Sequence, residues 1–211
     1  RVEVTLLRKG KKRKISVVLG EIELRVPGLH NVRNAAGAAA MALEIEVGLA
    51  DISAALAAFT SVDRRFQLKG EVDDICVVDD YAHHPAELAA VLATARTSGR
   101  RVIAVFQPHL YSRTRDFAGN FARELTRADR VVLTEIYPAR EAPLPGVNGR
   151  MIEKALRESG YTEVEFVEKV GDLAQYLGRQ CRSGDMVLTM GAGDIGEVAD
   201  ELVGVLRGDR R

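Results

Sequence analysis

The chain has 211 residues, 46% of them hydrophobic and 28% charged, which is typical of one large or two small globular domains. Its 30 basic and 30 acidic residues cancel, which excludes a strong overall field that would attract nucleic acid or an anionic membrane. No apolar run approaches the roughly 20 residues that a membrane-spanning helix needs. Cys76 and Cys181 have no partners at metal-ligand spacing, so we interpret them as buried free thiols of a cytosolic protein.

The first 60 residues predict strands followed by two helices. Alternating apolar residues predict strands at Val2–Leu7, Lys14–Leu19 and Glu21–Val26, with a turn around Gly10. The predicted helices are at Asn31–Glu46, with Val32, Ala36, Ala39 and Leu43 on one face, and at Ile52–Phe59, capped by Asp51. Thr60–Gly70 is polar and basic without a clear period, and we interpret it as an interdomain linker.

From Val72 onward, strand and helix patterns alternate, which predicts an α/β fold with a mostly parallel sheet and helices on both faces. The predicted strands are at Ile75–Val78, Arg101–Phe106, Arg130–Thr134, Glu163–Val167 and Met186–Met190. The predicted helices are at Pro85–Thr97, Arg115–Arg127, Asn148–Ser159, Gly171–Arg179 and Asp194–Leu206. The longest loop of this half, Ala139–Gly149, is a candidate mobile flap.

Polar side chains are concentrated directly after the first strand of this sheet, where residues 79–85 read Asp-Asp-Tyr-Ala-His-His-Pro. Pro85 predicts a helix start, with His84 near the N-cap. Ligands bind at the carboxyl ends of strands in open α/β sheets, and helix N-termini present N–H groups to anions. We therefore interpret this cluster of two carboxylates, a phenol and two imidazoles as serving chemistry or recognition. The alternative is a turn capped by Asp80, with solvated histidines.

A second polar segment follows the next strand, where residues 106–115 read FQPHLYSRTR. Because adjacent parallel strands end at the same edge of a sheet, we expect this loop to face the first cluster. A guanidinium group can hold a carboxylate through two contacts, which makes Arg113 and Arg115 candidate carboxylate ligands beside His109. The alternative is a solvated basic loop in which Thr114 caps the next helix.

Two further motifs are less specific. Residues 30–34 place Asn31 and Asn34 on one helix face, where side-chain amides can pair with the edge of a nucleobase; alternatively, Asn31 is a helix cap. Arg64 and Arg65 lie in the predicted linker, where they are either solvated or able to reach a triphosphate as two domains close.

Residues 191–196, GAGDIG, match the glycine pattern of dinucleotide-binding turns and follow a predicted strand. That pattern requires an acidic residue on a further strand about 20 positions on, but only residues 197–211 follow. We therefore favour a tight strand-to-helix turn that lines the same cleft.

Together and in order, these segments resemble the Mur ligase family. The residues that carry the resemblance are PGLHNVRN (27–34), RRFQ (64–67), DDYAHHP (79–85), FQPHLYSRTRD (106–116) and GAGDIG (191–196). The family has three domains, for a UDP-linked sugar, for ATP and for ligation. The resemblance implies that residues 1–62 are the end of the central ATP-binding domain. Residues 63–211 would form the Rossmann-like, doubly wound C-terminal domain.

DDYAHHP with FQPH is specific to the members that join L-alanine to the lactyl carboxylate of UDP-N-acetylmuramate, using ATP and an acyl phosphate. The resemblance thus implies a cytoplasmic enzyme of peptidoglycan synthesis that uses these small molecules and Mg²⁺, without nucleic acid or membrane partners. No G-x-x-x-x-G-K-S/T phosphate loop occurs in the 211 residues. The resemblance places that loop and the magnesium ligands upstream, so we expect this chain to be a fragment that is inactive alone.

For the nucleotide, the resemblance implies roles for His30, Asn31 and Asn34 at the adenine, for Arg65 at the domain junction and for Asp80 on domain closure. These are the residues that we assign to ATP binding.

For the amino acid, the resemblance implies a site that contains Tyr81, His83, His109 and Arg113. L-Alanine needs a cation for its carboxylate while its neutral amine attacks the acyl phosphate, so positioning and charge stabilisation dominate. Arg113 supplies the cation, and His83 and His109 orient the carboxylate or accept the proton of the amine. Leu110 stands where many family members carry an arginine, so carboxylate binding depends more heavily on Arg113.

Three other functions stay open at this point. A sibling ligase would attach a recycled peptide instead of L-alanine, and would need a roomier pocket around residues 109–113. A nucleotide-binding oxidoreductase domain would use the turn at 191–196. A non-catalytic binding module would use the same clusters to recognise a partner.

Overall fold

The computed structural model describes residues 2–8, 11–17, 24–60 and 62–208. The chain divides into two compact units, Arg1–Ser61 and Val62–Arg211. The assignment of residues 1–62 and 63–211 to two different ligase domains stays a prediction.

The first unit contains a β-hairpin and two helices. Strands β1 (Val2–Arg8) and β2 (Lys11–Val17) pair antiparallel, which confirms the first predicted strand and the second as far as residue 17. Helices α1 (Leu29–Glu44) and α2 (Leu49–Ala58) share a small buried cluster of Ala39, Ala40 and Ile52. The predicted turn around residue 10 and the residues at 18–19 lie outside the described residues.

The prediction of a third strand at 21–26 is wrong for the part of it that the structure describes. Residues 21–23 lie outside the described part, and residues 24–26 are irregular and bent rather than extended in a sheet. Pro27, which follows, has no N–H to donate to a ladder and so ends any pairing there. Val26 is nevertheless buried.

Two details of the helices also differ from the prediction. Helix α2 begins at Leu49 with Gly48 as its N-cap, so Asp51 lies within the first turn and is not the cap. A carboxylate there still interacts favourably with the helix dipole. Val32 is 39% exposed, because the buried face of α1 runs through alanines instead, namely Ala35, Ala36, Ala39 and Ala40.

The second unit is a six-stranded sheet with the order β3-β4-β8-β5-β6-β7. Its strands are β3 (Gln67–Val72), β4 (Ile75–Asp80), β5 (Arg101–Phe106), β6 (Arg130–Leu133), β7 (Val164–Phe166) and β8 (Asp185–Met190). The β3–β4 pair is antiparallel and the other four pairs are parallel, which confirms the predicted α/β fold. Because β8 lies between β4 and β5, three carboxyl ends are adjacent at one edge.

Helices cover both faces of this sheet, as predicted. They are α3 (Pro85–Arg96), α4 (Tyr111–Leu125), α5 (Arg150–Glu158), α6 (Leu173–Gln180), which follows a short 3-10 turn, and α7 (Ile195–Arg207). On one face α3, α4 and α5 pack through residues such as Leu88 and Phe121. On the other, α6 and α7 pack through Leu177 and Leu202. The central strands β4, β5 and β8 are mostly apolar because both of their faces are buried.

The predicted linker is partly wrong, because Gln67–Gly70 belongs to edge strand β3. Glutamine, lysine and glycine favour strands weakly, so local sequence gave little signal there. Pairing with β4 stabilises β3, and Gly70 approaches helix α7 so closely that a Cβ would lie 3.0 Å from Val203. Helix α4 also begins earlier than predicted, at Tyr111 rather than Arg115.

Candidate functional site

Strand β4 ends in two buried aspartates, and Asp79 joins three parts of the fold. Its Oδ1 accepts a hydrogen bond from Thr189 Oγ1 on β8 at 2.7 Å. Its Oδ2 accepts one from Arg64 Nε, also at 2.7 Å. Because both oxygens are used inside the protein, Asp79 ties the end of β4 to β8 and to the segment before β3.

Asp80 closes the turn after β4. Its two carboxylate oxygens accept hydrogen bonds from the backbone N–H groups of Phe66 and Ala82, each at 2.7 Å. Burial raises the pKa of the Asp80 carboxyl, and the two N–H groups oppose that rise. The structure thus gives Asp80 the turn-forming role that sequence analysis weighed as the alternative, and its contact with a nucleotide stays a prediction.

Four rings follow one another at the strand ends, and we call Tyr81, His83, His109 and Tyr137 the ring row. Tyr81, 37% exposed, meets His83 edge-on with ring centres 5.3 Å apart. His83 meets His109 at 5.6 Å, and His109 stacks on Tyr137 at 5.8 Å with 14° between planes. The two polar segments predicted to face each other, 79–85 and 106–115, therefore do meet.

The start of helix α3 fixes His83. His84 is the N-cap, as predicted, and forms a capping box with Glu87. Glu87 Oε2 also accepts the N–H of His83 at 2.9 Å. The Nδ1 atom of His83 lies 2.8 Å from the carbonyl oxygen of Tyr81. Because a carbonyl oxygen only accepts, the N–H of this contact is at Nδ1, and Nε2 is the ring nitrogen that can accept a proton.

Arg113 lies in the first turn of α4, beside both histidines. Its Nη1 is 3.4 Å from Nδ1 of His109 and 3.5 Å from the carbonyl oxygen of His83. These are long contacts, so the guanidinium keeps donors for a stronger acceptor such as a carboxylate. Arg115, the other predicted candidate, is exposed and pairs with its neighbour Asp116 at 2.7 Å.

The surroundings of His109 favour its neutral form. Burial lowers the pKa of His109 below its usual 6.5, and the positive charges of Arg113 and His83 lower it further. The carboxylate of Glu141 acts in the opposite direction. At neutral pH, His109 is therefore an uncharged imidazole that can accept a proton.

We expect an NMR titration of His109 in the intact protein to have a midpoint below 6.5. Arg113→Met should raise that midpoint because it removes a cation, whereas Glu141→Gln should lower it because it removes an anion. The unfolded chain binds the proton first, so His109 should reduce stability as pH falls from 6.5 through the folded midpoint. A midpoint above 6.5, or shifts of the opposite sign, would contradict this electrostatic picture.

The loop after β6 contributes two residues that sequence analysis missed, Tyr137 and Glu141. Tyr137 forms a short ladder with the 106–115 loop: its N–H donates to Pro108 O at 2.8 Å, and its carbonyl accepts Leu110 N–H at 3.0 Å. Glu141 Oε2 accepts the N–H of Ser112 at 2.9 Å, and Oε1 accepts its hydroxyl. The strand-end rule could have found them, since β6 is parallel to β5 and ends at the same edge.

The glycine turn at 191–196 is a tight strand-to-helix turn, as predicted. At Gly191, where φ is 148°, a Cβ would lie 2.8 Å from the carbonyl oxygen of Gln107. At Gly193 it would lie 2.4 Å from Oε1 of Gln107 and 2.5 Å from Cγ of Tyr137. Gln107 also accepts the N–H of Ile195 and donates to Asp194. The glycines thus leave space that Gln107 and Tyr137 occupy, so close packing accounts for these glycines without a bound dinucleotide.

The residues predicted to contact adenine lie in the first unit. Asn31 and Asn34 are both in α1, whose N-cap is Gly28, so Asn31 is not the cap. Asn31 Nδ2 donates to the carbonyl oxygen of Pro27 at 2.7 Å, and Asn34 is exposed. His30 is in the same helix, with its side chain outside the described part. In the second unit, the Arg65 guanidinium is 5.9 Å from the ring centre of Tyr81.

Among the described residues, no group of three or more histidine, cysteine, aspartate or glutamate side chains is arranged to hold a metal ion. No helix in the described ranges is both long and apolar enough to cross a membrane.

The family model described as Mur ligase, glutamate ligase domain, matches residues 64–193, more than half of the chain. The chain belongs to the Mur ligase family. This match confirms the resemblance that the motifs carried, and it contains the ring row, Arg113 and the first half of the glycine turn.

Curated Mur ligases are similar to this chain in sequence along most of its length. The UDP-N-acetylmuramate–L-alanine ligase of Cutibacterium acnes is 49% identical over 192 residues, which are 90% of this chain and 41% of that protein. The enzyme of the same name from Salinibacter ruber is 47% identical over 193 residues, with the same coverage. This chain therefore spans about two fifths of the length of these relatives.

Solved Mur ligases share the fold. The UDP-N-acetylmuramate–alanine ligase MurC of Thermotoga maritima superposes with a TM-score of 0.74 and 34% identity, covering 89% of this chain and 40% of that one. A murein peptide ligase of Psychrobacter arcticus superposes with a TM-score of 0.65 and 26% identity, covering 94% and 40%.

Proposed function

We propose that this chain is the portion of a UDP-N-acetylmuramate–L-alanine ligase that binds the amino acid. The observation that carries the proposal is the placement of Arg113 beside His83 and His109, at the carboxyl end of the parallel strands. A guanidinium beside the imidazole of His109 and the backbone of His83, whose ring lies 5.6 Å from that of His109, matches the needs of an amino-acid substrate, which has one carboxylate to hold and one amine to deprotonate.

The proposed reaction joins the amine of L-alanine to the lactyl carboxylate of UDP-N-acetylmuramate. ATP transfers its terminal phosphoryl group to that carboxylate and leaves as ADP. The neutral amine then attacks the acyl carbon, the carbon–oxygen bond to phosphate breaks, and phosphate leaves with the bonding electrons. The proton lost by the amine passes to the imidazole of His109 or of His83. Arg113 holds the carboxylate of alanine, so that the substrate loses its translational and rotational freedom on binding and not in the chemical step.

The nucleotide side of the reaction rests on the family resemblance. Asn31, Asn34 and His30 are proposed for the adenine, and Arg65 and Asp80 for the phosphates and domain closure. Mg²⁺ would neutralise phosphate charge when bound, but the described residues offer no set of three ligands for it, and we assign it no protein ligand. The proposed location is the cytoplasm, where its nucleotide substrates would be.

A murein peptide ligase is the second candidate, because the Psychrobacter arcticus enzyme of that name shares the fold. Two observations favour L-alanine. Identity over the superposed structures is 34% with the alanine ligase of Thermotoga maritima and 26% with that peptide ligase. In addition, Tyr137 stacks on His109 and Glu141 binds Ser112, so the loop after β6 lies against residues 108–112, where we expect it to compete with a bound peptide for space.

We expect a full-length protein that contains this sequence to form ADP from ATP only when L-alanine and UDP-N-acetylmuramate are both present. Omitting either substrate is the internal control. The measurement is coupled ADP release at several alanine concentrations, together with calorimetric titration of NAD. Absence of alanine-dependent turnover would favour a binding module, and NAD binding would favour an oxidoreductase domain.

A further inference from the structure

Arg64 adopts an uncommon backbone conformation just before β3. Its φ is 57°, in the left-handed region that non-glycine residues seldom adopt. Its N–H donates to Oε1 of Gln67 at 3.0 Å, and its carbonyl oxygen accepts the N–H of Tyr81 at 2.7 Å. The backbone of Arg64 thereby fixes the first residue after β4, which is also the first member of the ring row.

The guanidinium of Arg64 joins two strand ends. Nε donates to Asp79 Oδ2 at 2.7 Å, Nη2 to the carbonyl oxygen of Gly191 at 2.8 Å, and Nη1 to that of Gly193 at 3.1 Å. The side chain is only 25% exposed. A planar fork of donors is required to reach all three acceptors, which the single ammonium of a lysine cannot do.

The same guanidinium also supports the ring row. Its Cζ is 5.1 Å from the ring centre of Tyr81, within the range of cation–π attraction. Tyr81 meets His83, which meets His109, so the position of Tyr81 bears on both histidines. Arg64 therefore contacts Tyr81 twice, once through the backbone and once through the ring.

Gly196, in the first turn of α7, leaves the space that the guanidinium occupies. A Cβ at that position would lie 2.6 Å from Cζ, 2.7 Å from Nε and 2.8 Å from Nη2 of Arg64. Alanine is a far better helix residue than glycine, so the helix alone does not explain a glycine here. Displacing the guanidinium would require it to give up its bonds to Asp79 and to the glycine turn.

We propose that Arg64 is a positioning residue for the amino-acid site, acting through Tyr81 and the glycine turn and not on the reacting atoms. This inference rests on the proposed function and deepens it. It distinguishes Arg64 from its neighbour Arg65, for which the family resemblance implies a role with the nucleotide. The two arginines of the RRFQ segment then serve different substrates.

Two variants test this role in the full-length protein, and a third is the control. Arg64→Lys keeps the charge but loses the fork, and Gly196→Ala leaves Arg64 in the sequence but displaces its guanidinium. Gly204→Ala is in the same helix, with nothing within 4 Å of the added Cβ. We expect the first two to raise KM for L-alanine by about tenfold or more. KM for UDP-N-acetylmuramate should stay unchanged, and Gly204→Ala should change neither.

The outcomes separate this inference from the proposed function. A wild-type protein that does not ligate L-alanine overturns both. A wild-type protein that ligates L-alanine, with Arg64→Lys and Gly196→Ala leaving its KM unchanged, overturns only the role of Arg64. A rise of both KM values together with a lower thermal midpoint also overturns it, because that pattern indicates general structural damage.

Discussion

Replacing Arg113 by alanine should lower kcat/KM for L-alanine by about a hundredfold to a thousandfold, or roughly 3–4 kcal/mol of transition-state stabilisation. The reason is that the substrate carboxylate loses a charge-assisted, two-pronged partner. Residue 110, which immediately precedes helix α4, is a leucine and supplies no second cation. Steady-state kinetics with alanine varied at saturating ATP and UDP-N-acetylmuramate measure the effect.

Two variants sharpen the Arg113 experiment. Arg113→Lys should recover only part of the loss, because an ammonium is a point charge without the fork. Arg115→Ala is the matched control two residues further along α4, where the side chain is exposed and pairs only with Asp116 in the described contacts. Near-normal activity of Arg113→Ala, or an equal loss in Arg115→Ala, would refute the proposed role of Arg113.

Replacing Asp80 by alanine should destabilise the second unit by about 2–5 kcal/mol, because two backbone N–H groups lose their acceptor. These groups belong to Phe66 and Ala82, so the end of β4 and the entry to β3 would both be affected. Asp80→Asn keeps one acceptor and should cost about 1–3 kcal/mol. Denaturant unfolding of the intact protein measures both, with Asp116→Asn as an exposed control.

The pKa of Asp80 gives this effect a pH dependence of known sign. Burial raises the folded-state pKa above the usual value of 3.8, so the folded protein holds the proton more tightly than the unfolded chain. The contribution of Asp80 protonation to the free energy of unfolding is therefore fully present below pH 3.8 and is lost as pH rises through the folded-state pKa. The difference in free energy of unfolding between wild type and Asp80→Asn should therefore shrink as pH rises from 3.8 through the folded-state pKa. If Asp80→Asn raised KM for ATP without changing stability, direct nucleotide contact would be the better account.

Most of the sheet and its order of elements followed from the sequence because β4, β5 and β8 are continuous apolar runs bounded by polar residues. The rule that parallel strands end at one edge of a sheet then predicted that segments 79–85 and 106–115 meet. Edge strand β3 was not predicted because pairing with β4 stabilises it. Such pairing is a tertiary interaction that local strand propensity does not reveal.

The site residues that sequence analysis missed, such as Tyr137, or left without a clear role, such as Arg64, share one property: their role depends on partners distant in sequence. Arg64 binds the carbonyl oxygens of residues 191 and 193, and Tyr137 packs on His109 and against Gly193. A single arginine in a polar segment looks solvated until those partners are placed. Conversely, GAGDIG looked like a nucleotide motif, although its glycines fit the side chains of Gln107, Tyr137 and Arg64.

The most direct test of the central claim is the product formed when substrates compete. A full-length protein that contains this sequence would receive ATP, UDP-N-acetylmuramate and equal concentrations of L-alanine and the tripeptide L-alanyl-γ-D-glutamyl-diaminopimelate. We expect mass spectrometry to detect UDP-N-acetylmuramate extended by a single alanyl residue, and Arg113→Ala to abolish most of that product. Extension by the tripeptide, or no extension at all, would contradict an L-alanine site formed by Arg113 and the ring row.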